Sequence, residues 1–174
     1  MQGSPAAGLA AMRQGVAALE AMGARIDRPV FLAMLAEGYG VAAEPAAGLE
    51  VVAAALALVQ DSGERLWEAE LYRLRGHLLV HAGSTPRRTP HQAHLGAIVD
   101  APPEACFQHA LAIARQQQAK ALELRAATSL AGRWHQQGKG AEAYALLATV
   151  YGWFTEGFET ADLQEAKALL EALA

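Results

Sequence analysis

The chain has 174 residues, is rich in alanine, contains 6% aromatics and carries a mild net charge of −4. That length suits one domain with a substantial core; the charge forms no basic stripe for nucleic acid or an anionic membrane; and Cys106, the only cysteine, excludes an intrachain disulfide or a multi-cysteine zinc site. Scarce aromatic and β-branched residues favour helix.

From residue 6 to 22, Leu9, Met12, Val16 and Leu19 recur at threes and fours, the spacing of one helical face, and Gly23 closes the helix. Asp27 is expected to cap the next helix, with Pro29 in its first turn and Phe31, Leu32, Leu35 and Tyr39 as its apolar stripe. Gly38 and Gly40 weaken that helix by about 1 kcal/mol each and point to close approach of a neighbour. Pro45 reopens the chain, and Leu49, Val52, Leu56 and Val59 carry a further helix to Gly63, completing a helical hairpin over 27–63. The unit at 64–118 opens at Glu64 and runs through Trp67, Leu71, Leu74, Leu78 and Leu79 to Gly83. A proline-containing insertion at 83–100 follows, read as a long surface loop. Helix resumes at Pro102, with Phe107, Leu111 and Ile113 inward. The unit at 119–154 sets Leu122, Ala126, Leu130 and Trp134 against Ala143, Leu146, Leu147, Val150 and Tyr151. Thr160 is the expected N-cap of a last helix over 160–173, in which Leu163, Ala166, Leu170 and Leu173 face inward and Glu165, Lys167 and Glu171 face water, as suits a capping helix.

The pentapeptide Pro5-Ala6-Ala7-Gly8-Leu9 recurs at Pro45-Ala46-Ala47-Gly48-Leu49, and a looser copy stands at Gly140-Ala141-Glu142-Ala143-Tyr144. A repeat period between about 20 and 50 residues indicates a solenoid of stacked units. Small residues at Gly48 and Ala55 with Val52 between them resemble the second helix of a tetratricopeptide repeat. Leu35-Ala36 with Tyr39, and Leu130-Ala131 with Trp134, resemble its first helix, while Arg75-Gly76 with Leu79 leaves the register open by one residue. Residues 63–74, 105–114 and the aromatic segment Tyr151-Gly152-Trp153-Phe154-Thr155-Glu156-Gly157-Phe158 are similar to the C-terminal repeat region of bacterial multidomain signalling ATPases of the cyclase-like or transcriptional-regulator type. The resemblance implies an all-α, right-handed α-solenoid of tetratricopeptide-like hairpins, one domain over 1–174, opened by a half repeat at 6–22 and closed by the capping helix. It carries over no ATPase chemistry, because the chain has no Gly-x-x-x-x-Gly-Lys-Ser/Thr loop. A chain that opens in the second helix of a unit reads either as a fragment of a longer solenoid or as a short protein whose helix 6–22 finds its partner in a homodimer.

His77 and His81 stand four apart on one helix, with His91 and His94 in the insertion, a spacing that can share a divalent ion; solvated polar residues are the favoured reading, and no metal or cofactor is assigned. Cys106 lies near a helix N-terminus, which lowers a thiol pKa, with His109 three residues on; beside Phe107 on the packing face it reads instead as a buried structural thiol. No catalytic residue is assigned. The tetratricopeptide resemblance places Glu37, Glu70, Arg73, His77, Arg125, Thr128 and His135 on a concave wall that holds a partner peptide. Trp153, Phe154 and Phe158 read as core beneath the last helix rather than as an exposed patch. The expectation is a cytoplasmic, non-enzymatic scaffold for protein or peptide interaction or signal sensing, partner or part of a bacterial regulatory ATPase, with no nucleic-acid or membrane partner. The alternative is a small-molecule or metal-responsive sensor using the groove and the histidine-containing insertion.

Overall fold

The computed structural model describes residues 5–23, 28–83 and 102–174, and among these the chain forms helices and no strand. The helices are α1 (Pro5–Ala21), α2 (Arg28–Val41), α3 (Pro45–Ser62), α4 (Glu68–Gly83), α5 (Pro103–Gln116), α6 (Lys120–Gln136), α7 (Gly140–Tyr151) and α8 (Ala161–Leu173). The molecule is therefore all-α in its described residues. The Asp27 cap and the insertion beyond Gly83, with His91 and His94, lie outside them. None of the described helices is long and apolar enough to cross a membrane.

Three connections use one turn. Ala43, Gln118 and Gly138 take positive φ angles of 58°, 56° and 79°. In each case the next residue donates its N–H to a carbonyl five positions back, Glu44 to Tyr39, Ala119 to Ala114 and Lys139 to Trp134, all at 2.9 Å. Left-handed closure of this kind satisfies the last carbonyls of one helix and reverses the chain within a few residues. The following helix begins at once, at Pro45, Lys120 or Gly140.

One helix start differs from the sequence expectation, and one expected N-cap keeps its position but not its capping bond. Helix α4 starts at Glu68 rather than Glu64, because the carbonyl of Arg65 accepts both the Glu68 N–H at 3.1 Å and the Gln117 side-chain amide at 2.7 Å, which pins residues 63–67 as a turn. Thr160 has the extended backbone of an N-cap, but its hydroxyl donates to the Gly157 carbonyl at 2.8 Å and makes no capping bond to α8. Phe31, assigned to the apolar stripe of α2, is 38% exposed, while Ala33 and Ala36 are buried in that helix.

Consecutive helices pack on one another, and α2, α4, α6 and α8 also touch in series, so the even helices form one row and α3, α5 and α7 bridge successive members of it. Leu32, Leu49, Val52, Val59, Leu71 and Leu78 make the core of the N-terminal half. Phe107, Leu111, Leu124, Leu130, Leu147 and Leu163 make that of the C-terminal half. Two glycines set how closely the helices pack. A Cβ on Gly48 of α3 would stand 2.8 Å from a Leu78 methyl and 3.3 Å from the Ala36 carbonyl of α2. At Gly76 of α4 it would collide with the ring of Phe107, which is 1% exposed. Gly8, the counterpart of Gly48 in α1, has nothing within 4 Å of a built Cβ, and α1 rests on α2 chiefly through Leu9 against Leu35 and Tyr39.

Overpacking by one methyl costs typically 1–3 kcal/mol, whereas replacing an unpacked helix-interior glycine with alanine gains about 0.5–1 kcal/mol. Gly76→Ala should therefore lower the urea midpoint and Gly15→Ala, with nothing within 4 Å, should leave it unchanged or raise it. Equal shifts in the two variants would contradict this packing.

Candidate functional site

Glu70 lies in the first turn of α4 and is 5% exposed, an unusual place for a carboxylate unless its charge is compensated. Arg73, one turn on, supplies that charge through two hydrogen bonds, from Nε at 2.9 Å and Nη2 at 2.7 Å. Arg125 of α6 approaches the same carboxylate, Nη1 to Oε1 at 3.1 Å, and its Nε stands 3.7 Å from Asp162 of α8. One buried acid thus joins α4 to α6, and through Arg125 to α8. Burial opposes the charge on Arg73, but the hydrogen bonds and attraction of Glu70, helped by Glu37 and Glu165, outweigh it and raise its pKa above the usual arginine value.

A turn beyond Arg73, His77 Nε2 lies 2.8 Å from Ser129 Oγ, and Ser129 in turn donates its proton to the Arg125 carbonyl at 2.9 Å. With that hydroxyl proton committed, Nε2 of His77 carries the hydrogen and donates it. The imidazole packs edge-on to Phe107, with ring centroids 5.0 Å apart. Burial, then the nearby charge of Arg73, lowers its pKa to about 4, so the ring is neutral near pH 7.

Three cavities lie along the row of even helices. The first, about 420 Å³, opens between α2 and α4 over Ala36, Gly40, Val41, Leu74 and Leu78. The second, about 230 Å³, is polar, walled by Glu37, Arg73, Arg125, Ser129, Asp162 and Glu165. The third, about 340 Å³, reaches Val80, Phe107, Gly132 and Leu169. Shared walls make them one groove: Glu37 and Arg73 border the first two, Thr128, Ser129 and Glu165 the last two, and His77 the first and third.

Of the residues expected on a concave wall, Glu37, Arg73, His77, Arg125 and Thr128 line this groove. Glu70 sits beneath it, holding the arginines, and Thr128 spends its hydroxyl on the Leu124 carbonyl at 2.9 Å. His135 is exposed further along α6 and borders none of the three cavities. Ser129, Asp162 and Glu165 were not anticipated. Glu165 does face water, as expected of the last helix, but the water of the groove; treating α8 as another member of the even row would have placed Asp162 and Glu165 on its wall.

Cys106 is 3% exposed, and burial pushes its thiol pKa up rather than down, with Arg75 offsetting part of the rise. His109 points elsewhere, its ring against Tyr72 at 4.3 Å. Among the described residues no group of three or more metal-ligating side chains converges. In the aromatic segment Tyr151 and Phe154 pack on the core; Trp153 and Phe158 are 57% and 46% exposed, contrary to the core placement expected of them, and Lys120 Nζ lies 5.5 Å from the centroid of the Trp153 ring.

No family model matches the chain, and no solved structure matches it. An uncharacterised protein of Rhizobium meliloti (strain 1021) is similar, 36% identical over 78 residues, which are 45% of this chain and 8% of that protein's length.

Because the folded pKa of His77 lies below the ordinary value of 6.5, the unfolded chain takes up the proton first. The stability this confers is complete above pH 6.5 and is lost as pH falls from there toward 4. Between pH 7 and 5 the urea midpoint should fall, and His77→Gln should flatten the fall; Glu104 and Glu123, whose pKa values are lowered, contribute only below that window. An imidazole NMR signal of His77 that titrates at the ordinary histidine value of 6.5 would contradict the assignment.

Proposed function

We propose that this chain is a tetratricopeptide-like helical-repeat module, a right-handed solenoid, that binds a protein or peptide partner along its even helices and performs no chemistry itself. The observation that carries this reading is the groove: three adjoining cavities on one face, polar in the middle and partly apolar at either end, long enough for an extended segment. The recurring turn at Ala43, Gln118 and Gly138 and the serial contacts of the even helices support the repeat architecture. Membership of a bacterial regulatory ATPase system, in the cytoplasm, is the setting we favour, on the resemblance of residues 63–74, 105–114 and 151–158 to the repeat regions of such proteins.

Position-specific photocrosslinking tests the reading. A photoreactive residue at exposed Glu37 or Glu165 in the groove should capture a partner in cells, whereas one at exposed Ala54 of α3 or Thr149 of α7 should not. Adducts that are as frequent from α3 and α7, or that are missing from the groove positions, would sink it.

A further inference from the structure

The middle of the groove is unequal in charge. Around the 230 Å³ cavity and just beneath it stand four carboxylates, Glu37, Glu70, Asp162 and Glu165, against two guanidiniums, Arg73 and Arg125. Both guanidiniums are already used: Arg73 is forked onto Glu70, and Arg125 is divided between Glu70 and Asp162. His77 adds no positive charge near neutral pH. Glu37 on α2 and Glu165 on α8 make no hydrogen bond or ion pair with the described residues, and their pull reaches Arg73 only at longer range. An anionic ligand in this cavity would meet these two free carboxylates and would have to draw Arg73 or Arg125 away from the buried Glu70, stripping that acid of part of its compensation. A cationic ligand meets two unspent acids and displaces nothing.

We propose that the groove takes a peptide carrying a lysine or arginine, whose cationic head sits in the polar cavity between Glu37 and Glu165 while an adjoining apolar side chain enters the 420 Å³ cavity over Val41, Leu74 and Leu78. The inference rests on the peptide-groove reading above and names its ligand. A bare divalent ion fits less well, since no group of three or more ligating side chains converges among the described residues. The neighbouring cavity, bordered by Ala36, Gly40, Val41 and the two leucines, rewards burial of a hydrocarbon side chain, which a free inorganic cation lacks. Long-stemmed Lys and Arg can lay methylenes along such a wall and keep the charge at the acids.

Selection from a random dodecapeptide library, followed by titration of the enriched peptides, tests this. Enriched peptides should carry Lys or Arg beside an apolar residue. Glu37→Gln combined with Glu165→Gln should weaken them about three- to tenfold, the range expected for two solvent-screened ion pairs, and added salt should do the same. Enrichment of acidic or uncharged peptides that are blocked by Val41→Trp, at a 72% exposed position beside the larger cavity, but not by the double glutamine variant, would overturn the cationic ligand and leave the peptide groove standing. Enrichment no better than on an unrelated helical protein, or binding indifferent to all these substitutions, would overturn both. Spermidine that binds as tightly as the selected peptides would overturn the peptide as the source of the cation.

Discussion

The Glu70 carboxylate is the constraint on which the groove depends. A buried anion is tolerated only when cations and hydrogen-bond donors surround it, and here they come from its own helix, through Arg73, and from α6, through Arg125. Satisfying that acid fixes the two arginines, and with them the separation of α4 and α6 at the level of the polar cavity. Arg125 then presents its Nε toward Asp162, so that the last helix is also brought to the wall. The same arrangement commits both guanidiniums of the polar cavity, leaving Glu37 and Glu165 as its unpaired carboxylates among the described residues.

Close packing of the hydrocarbon layer allows this electrostatic arrangement to form. Gly48 lets Leu78 and the backbone of α2 come within contact distance, and Gly76 accepts the Phe107 ring against α4. Phe107 in turn supports the His77 imidazole, whose proton is steered to Ser129 and whose charge is suppressed by burial. A larger residue at either glycine would push apart helices whose side chains meet across the groove.

Much of the fold was legible because alanine-rich helices with leucine at threes and fours leave few alternatives, and because glycine and proline mark several ends. The turns were less so. Gly138 announces a left-handed residue, but Ala43 and Gln118 adopt the same conformation without any side-chain signal, held by the backbone bonds that close each helix. The start of α4 was misplaced for a similar reason, since Gln117, 52 residues away, decides it. For the groove, the tetratricopeptide resemblance put Glu37, Arg73, His77, Arg125 and Thr128 on one wall, but a pattern of positions along a helix cannot tell that Glu70 is submerged. Nor can it show that Asp162 and Glu165 join from α8, or that His135 lies too far along α6. Trp153 and Phe158 show the limit of hydrophobicity as a guide, because a short irregular segment has no repeating face to bury them.

A double-mutant cycle on Glu70→Gln and Arg125→Met, followed by urea unfolding at low salt, tests most directly whether one buried acid ties the even helices together. A coupling energy above about 1 kcal/mol is expected for charges in contact across α4 and α6. Changes that add to within about 0.3 kcal/mol would contradict it and show that the two residues act independently.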